Sequence, residues 1–444
     1  MDTGLLSLIY LVIMVGLIIL FTGKWKINAF FVLVTIAFAY GGLIGMPFTD
    51  IIANIKSGFG GTLSSIGIVI IAGTIMGIIL EKTGAALVMT RSILALVGRD
   101  RSPLAMNMAG LVVSIPVFCD SGYVILSPLN RALAKESGKS MAVMAVALAT
   151  GLYATHTMVP PTPGPIAAAG TLNADLGLVI LYGLIASIPA ALSGYFWALK
   201  VASKYDIPAE GGESYSELMK KYGKLPSTFA SFLPLVLPIV LILLKSFADL
   251  PSRPFGAGGF GAFISSIGDP VVALLIGVVC SLFLVPWKDM LTATDNWMGQ
   301  GIKDAAIIIA ITGAGGSFGR ILQGSPMVSY IETNLSTASI GIFLPFLISA
   351  AIKTAQGSST VAIITTSNIM APMIANMGLN PALVVIAVGA GAMVVSHAND
   401  SYFWVVSQFS NLPVNIAYKV YTTATAVEGV VAMVVVYFMS LIVG

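Results

Sequence analysis

The sequence predicts an all-α polytopic membrane protein built from inverted repeats, with two re-entrant hairpins and two broken helices. Three observations carry that expectation. Of 444 residues, 57% are apolar and only 9% charged, against about 25% charged in an ordinary soluble domain, and the mean hydropathy is +0.96. Polar, Gly- and Pro-rich clusters interrupt the apolar runs at four places. The pattern of the first half recurs in the second at an offset of 241, the separation of the only two histidines, His156 and His397.

The first apolar run follows Met1-Asp2 with no basic segment and no small-residue cleavage site, so it reads as a retained helix rather than a signal peptide. Spans of about 20 residues, the length a bilayer requires, are predicted at 4–22, 27–46 and 61–80. A basic, amphipathic connector carries Lys82, Arg91, Arg99 and Arg101. Residues 103–134 fail the simple test. Two apolar half-segments flank FCDSGYVILSP, with Arg99 and Arg101 before them and Arg131, Lys135 and Lys139 after. A single span would place one basic cluster on the wrong face, whereas a hairpin that enters and leaves on one face satisfies both. Such non-helical backbone is tolerated in a membrane only under protein or beside a wet cavity.

A helix over about 140–170 is broken by ATHTMVPPTPGP (154–165), whose four prolines and glycine cannot continue a regular helix. Spans at 177–199 and 229–247 flank the longest polar loop, 200–227, with Lys200, Lys204, Lys220, Lys221 and Lys224. That loop reads as a cytoplasmic linker beside anionic lipid, not as a nucleic-acid site. Spans at 270–286 and 305–322 precede a second hairpin, 339–374, centred on TAQGSSTVA (354–362). A second broken helix, 381–407, and a span at 421–442 complete the chain.

With both termini outside, ten spans and two hairpins place seventeen of the 22 Lys and Arg on cytoplasmic segments, as the positive-inside rule requires. The expected organisation is scaffold helices in 1–57, a first repeat in 58–199, the linker, further scaffold in 228–298 and a second repeat in 299–444. GFGGTLSSIGIVIIAGTIMGIILEKTG from Gly58 matches GQGIKDAAIIIAITGAGGSFGRILQGS from Gly299 in pattern, and the offset reaches 242 at Gly77 and Gly319. Thr155-His156-Thr157 corresponds to Ser396-His397-Ala398. An odd number of segments before the second unit inverts it. Inverted repeats with broken helices at matching positions point to a secondary-transporter binding site at mid-membrane.

The polar residues supply the candidate chemistry. Each hairpin tip starts a short helix inside the membrane, whose free N–H groups and dipole favour an anion. Asp120, Ser121 and Gly122 open the first; Gln356, Gly357, Ser358, Ser359 and Thr360 form the second, where glycine backbone allows close approach and the hydroxyls suit a polyol chain. Ordinary N-capping is the alternative for these hydroxyls. Asp120 and Asp400 are the carboxylates deepest in the apolar regions, and a buried carboxylate takes up a proton when burial disfavours its charge. Sodium coordination by the same groups is the rival reading. His156 and His397 titrate in the right range to relay a proton or to donate to a substrate carboxylate. Lys353 either pairs with a substrate carboxylate or neutralises a half-helix end, the second reading being preferred for Arg320. Thr155, Thr157, Ser396 and Asn399 are further ligand candidates. Cys119 and Cys280 form no disulfide framework, and the histidines make no zinc site, so no cofactor or metal is expected.

Four motifs in this order, FCDSGYVILSPL (118–129), ATHTMVPPTPGP (154–165), KTAQGSSTVA (353–362) and SHANDSYFW (396–404), resemble the gluconate permease family of the ion-transporter superfamily, over most of the chain. The resemblance implies a multi-pass protein of the bacterial cytoplasmic membrane that imports gluconate or a related small hydroxy or sugar acid with protons, relatives also taking glycerate or D-serine. It further implies a homodimer whose hairpins and broken helices move as an elevator. A sodium-coupled carboxylate carrier shares the fold. A channel would need a continuous polar path, and no HExxH, GxSxG or Walker sequence supports an enzyme or an ATP-driven pump.

Overall fold

A computed structural model of the protein describes residues 3–209, 225–249, 254–256, 258–327, 330, 341–397 and 400–443. The secondary structure among them is helical, without strands. Much of the 200–227 linker, with Lys220, Lys221 and Lys224, lies outside the described residues.

The chain opens with α1 (Thr3–Ile19), which widens into a π turn to Lys24, and α2 (Ala29–Leu43). Next comes α3 (Phe48–Lys82), which bends by 47° after Ser65. It starts well before the expected 61–80. Asp50, Asn54 and Lys56 keep the apolar run short at its start, but packing overrides composition. The glycine face lies directly on α13 (Met298–Gln323), with no room at Gly58 for a Cβ against the Gly316 carbonyl, and Ser317 donates to the Ile55 carbonyl at 2.9 Å. The basic connector is itself a helix, α4 (Ala85–Val97).

Two half-helices, α5 (Ser102–Val113) and α6 (Cys119–Ser137), pack on one another across a turn. In that turn the Ser114 hydroxyl donates to the Val117 carbonyl at 3.0 Å. The helix after them runs unbroken through Thr155, His156 and Thr157 as α7 (Met141–Met158) and stops only at the prolines; α8 (Pro163–Thr171) resumes it. Then come α9 (Leu176–Lys200), α10 (Thr228–Ala248), and α11 (Gly259–Ile267) with α12 (Pro270–Leu282), a pair bent by 62°. Short turns from Trp287 lead into α13. A second pair of half-helices, α14 (Phe343–Gln356) and α15 (Ser359–Met370), is followed by α16 (Pro381–Gly391), a break, α17 (Ser401–Phe409) and α18 (Thr423–Val443).

Every residue of α7, and most of α16, is buried by protein although both are largely apolar. By contrast α9, α10, α12 and α18 expose Leu181, Ile185, Val240, Val279, Val434 and Leu441. A soluble protein does not display apolar residues on so many helices; a lipid-facing one does. Among the described residues six helices can cross a membrane by length and composition, and up to eight if each bent pair is one span. The ten-span layout additionally needs α2, 15 residues long, and the α16–α17 pair across its break.

Asn107 ties three of these helices together. Its side-chain amide donates to Ala147 O at 2.8 Å, Thr150 Oγ1 at 3.1 Å and Ala191 O at 3.1 Å, joining α5, α7 and α9. Gly151 lies against the Asn107 backbone with no space for a Cβ. The amide has two N–H groups to share among these acceptors, so at about 1 kcal/mol per hydrogen bond Asn107→Leu is expected to lower stability by about 2 kcal/mol, read as earlier loss of the monodisperse peak on heating in detergent.

Candidate functional site

The two turns between half-helices face the same space. At the first, Phe118 has extended backbone and α6 starts with Cys119, Asp120 and Ser121. At the second, Gly357 closes α14 at φ +96°, a left-handed value that favours glycine, and its N–H donates to Lys353 O at 2.9 Å. Ser358 then caps α15, accepting from Val361 N at 3.3 Å. Tyr153 and His156 of α7, Ser401 and Tyr402 of α17, and Asp304, Ile307, Ile308 and Ile311 of α13 complete the wall of a cavity of about 370 Å³. Both half-helix N-termini, with Ser121, Ser358, Ser359 and Thr360, line it, as do Asp120 and Asp400.

Asp400 caps α17, accepting from Tyr402 N at 3.1 Å on Oδ1. Its Oδ2 meets Lys353 Nζ at 2.6 Å and accepts from the Ser396 hydroxyl at 2.5 Å. Lys353 is fully buried and Asp400 only 5% exposed. The same ammonium donates to the Gly357 carbonyl and lies 5.8 Å from the centre of the Tyr153 ring. Ser396 is held in turn by α18 and the turn before it: its hydroxyl is 3.1 Å from Tyr421 OH, and its N–H donates to Thr425 Oγ1 at 3.1 Å. Ser396 and Asp400, on either side of the break, are thus tied to α14 by an ion pair and to α18 and the turn before it by hydroxyls.

Asp120 differs. Ser401 Oγ donates to its Oδ1 at 3.4 Å and the Cys119 thiol is 4.0 Å from Oδ2. Among the described residues no cation pairs with it. His156 is buried, with the Phe118 ring at 5.9 Å and no partner on Nδ1.

Several sequence candidates stand elsewhere. Thr155 and Thr157 are fully buried and donate to the carbonyls of Leu111 (2.8 Å) and Tyr153 (3.3 Å) rather than facing the cavity. A helix turns about 100° per residue, so of the three neighbours only His156 reaches the wall. His397 donates from Nε2 to Thr354 O at 2.8 Å, away from the cavity. Lys353 and Ser396 lie behind Asp400 and hold it. Gly122 packs on Leu152, 2.8 Å from where its Cβ would sit, and Gly357 shapes the second turn. Asn399 lies outside the described residues, as does the side chain of Gln356. No cluster of three or more His, Cys, Asp or Glu suited to a metal occurs among the described residues.

Ser401 and Tyr402, inside the last motif, and Tyr153 and Asp304, outside all four, are wall residues that the sequence analysis does not single out. The reading also passed over Glu428, a lone carboxylate in the last apolar span. It is completely buried in α18, and both oxygens lack a hydrogen-bond partner. An ionisable group in such a span was itself the signal.

The model of the GntP family permeases matches residues 6–442. A gluconate permease of Pseudomonas aeruginosa is 36% identical, covering 97% of each chain. The high-affinity gluconate transporter of Escherichia coli K12 is 33% identical over 97% of this chain and 98% of its own. The D-serine transporter of the same strain is 34% identical over 98% of each. The crystal structure of the Alcanivorax borkumensis YdaH transporter superposes with a TM-score of 0.64 over 99% of each chain at 15% identity, a likeness of fold.

Proposed function

Since the chain belongs to the GntP family of permeases, we propose that it imports gluconate or a related small hydroxy acid by proton symport across the bacterial cytoplasmic membrane. Its family and relatives are permeases rather than enzymes. One observation carries the coupling: Asp120 stands in the cavity wall at a half-helix N-terminus and, among the described residues, forms no ion pair. The N-termini of α6 and α15 favour a carboxylate, each by about 0.3–1 kcal/mol, and the surrounding hydroxyls suit a polyol. An ionised Asp120 opposes that anion. Two unit charges ~8 Å apart at an effective dielectric of ~20 repel by about 2 kcal/mol, so a proton on Asp120 and an anion in the cavity favour one another. Binding then requires both, and symport follows.

Lys353 bears on the sodium alternative. Its ammonium fills the point where the Gly357 carbonyl and the Asp400 carboxylate converge, the oxygen donors that a sodium ion would use. That supports protons as the coupling ion. Residues 58–199 and 299–444 act as inverted repeats in this reading. The four half-helix pairs α5–α6, α7–α8, α14–α15 and α16–α17 carry the substrate as an elevator against a scaffold that dimerises. The recurrence of the same element order in both halves supports it, and so does the fold likeness.

A second substrate reading, D-serine, is favoured by the similar D-serine transporter and by Asp120 and Asp304, which suit an ammonium group. Competition separates the two. Uptake of labelled gluconate into cells bearing the protein is expected to be suppressed by excess gluconate or glycerate and left intact by D-serine. Suppression by D-serine alone, or absence of gluconate uptake, would overturn the sugar-acid reading.

A further inference from the structure

A second cavity, of about 360 Å³, lies towards the other end of α13 and has no part in the site above. On α13 the central cavity touches Asp304 to Ile311, and this one touches Gly316, Gly319, Arg320 and Gln323. On α15 the central cavity takes Ser359 to Val361 and the second takes Asn368, seven residues further and so about 10 Å along the axis. The start of α3 and the end of α8 close its other sides. By the distribution of basic residues this is the outer face.

Its chemistry is one-sided. Ser57, Thr62, Thr171 and Asn368 are among the lining residues; among the described residues Arg320 is the only charged one, and none is a carboxylate. The Arg320 guanidinium is exposed and donates to Gln323 Oε1 at 3.2 Å, with no acidic partner among the described residues. It therefore keeps donors in reserve, in the planar fork that matches a carboxylate. Asn368 is 1% exposed; its amide donates to Ile364 O at 2.7 Å, while Oδ1 has no partner. Thr171 Oγ1 is likewise buried and unpaired. An unpaired buried acceptor in the same cavity as a guanidinium with donors to spare calls for a ligand that offers a hydroxyl and a carboxylate together. Glycines keep the space open: a side chain on Gly61 would meet nothing within 4 Å.

We propose that this outer cavity is an entry site, in which Arg320 captures the carboxylate of the incoming hydroxy acid while Asn368 and Thr171 bind its hydroxyls, before the anion reaches the central cavity. The substrate class rests on the function proposed above; the anion selectivity of the cavity does not.

Charged thiol reagents separate the two. Ser57→Cys places a thiol at the exposed rim of this cavity. The impermeant probes are an anionic sulfonate-bearing and a cationic trimethylammonium-bearing methanethiosulfonate, added outside, with the reaction of the native cysteines subtracted using a chain without the substitution. The anionic probe is expected to react faster relative to the cationic one than with a free thiol, and Arg320→Gln to lower that ratio about tenfold, with Arg320→Lys restoring most of it. Gluconate is expected to slow the anionic reaction only when Arg320 is present. An unchanged ratio in Arg320→Gln would overturn the entry site. A lowered ratio without protection by gluconate would keep an anion site and sink the hydroxy-acid assignment. Gly61→Leu fills the cavity from a position with free space, and a helical Leu is favoured over Gly. It is expected to raise the external KM for uptake at least several-fold and leave the KM for efflux unchanged; equal values for uptake in the variant and the wild type would also overturn the proposal.

Discussion

Asp120→Asn is expected to abolish accumulation of substrate against its gradient while leaving exchange of labelled for unlabelled substrate within about threefold of wild type. The side chain keeps its size and its contact with Ser401, 3.4 Å away, but loses the ability to gain and lose a proton. The permanently neutral amide also removes the repulsion of about 2 kcal/mol between a carboxylate and the bound anion. The variant should therefore bind substrate at high pH at least as well as wild type and move it only down its gradient. Proteoliposomes loaded with unlabelled substrate measure exchange, and empty ones with an imposed proton gradient measure accumulation. Retained accumulation in Asp120→Asn would remove this residue from the coupling step.

Lys353→Met is expected to cost about 3–5 kcal/mol, because it leaves Asp400 buried without its cation. Asp400 has one ammonium at 2.6 Å and is 5% exposed, so water cannot replace the lost partner. The hold on Ser396 and Asp400 should loosen, and transport should fall by at least an order of magnitude. Removing the charge on both sides, in Lys353→Met with Asp400→Asn, leaves no bare charge and should recover most of the stability. Thermal stability in detergent and transport, measured on both single variants and the double one, separate this account from a direct contact of Lys353 with substrate. In that case the double variant would be stable and still show a raised KM.

How much of this was legible in the sequence depends on the range of the interaction. The half-helix turns were readable because their signals are local: Gly357 and Ser358 terminate one helix and cap the next, and the prolines after Val159 break α7 from α8. The start of α3 was not, because Asp50, Asn54 and Lys56 interrupt the apolar run, while the packing of Gly58 on α13 at Gly316 is a long-range contact. Asp400 and Asp120 were found from the expense of a carboxylate in an apolar run. The pairing of Asp400 with Lys353 spans 47 residues and two motifs, and no periodicity encodes it. The matched histidines show the same limit. Pattern placed His156 and His397 at equivalent points, yet one faces the cavity and the other bonds Thr354. Glu428 was legible by the same rule as Asp120 and shows that the rule must be applied to every span.

The most direct test of proton-coupled import through the central cavity is uptake of labelled gluconate by wild-type proteoliposomes under an imposed proton gradient and, separately, an imposed sodium gradient. Accumulation driven by protons, abolished by an uncoupler and unaffected by sodium, is the predicted result. Accumulation that follows the sodium gradient, or none under either, would contradict it.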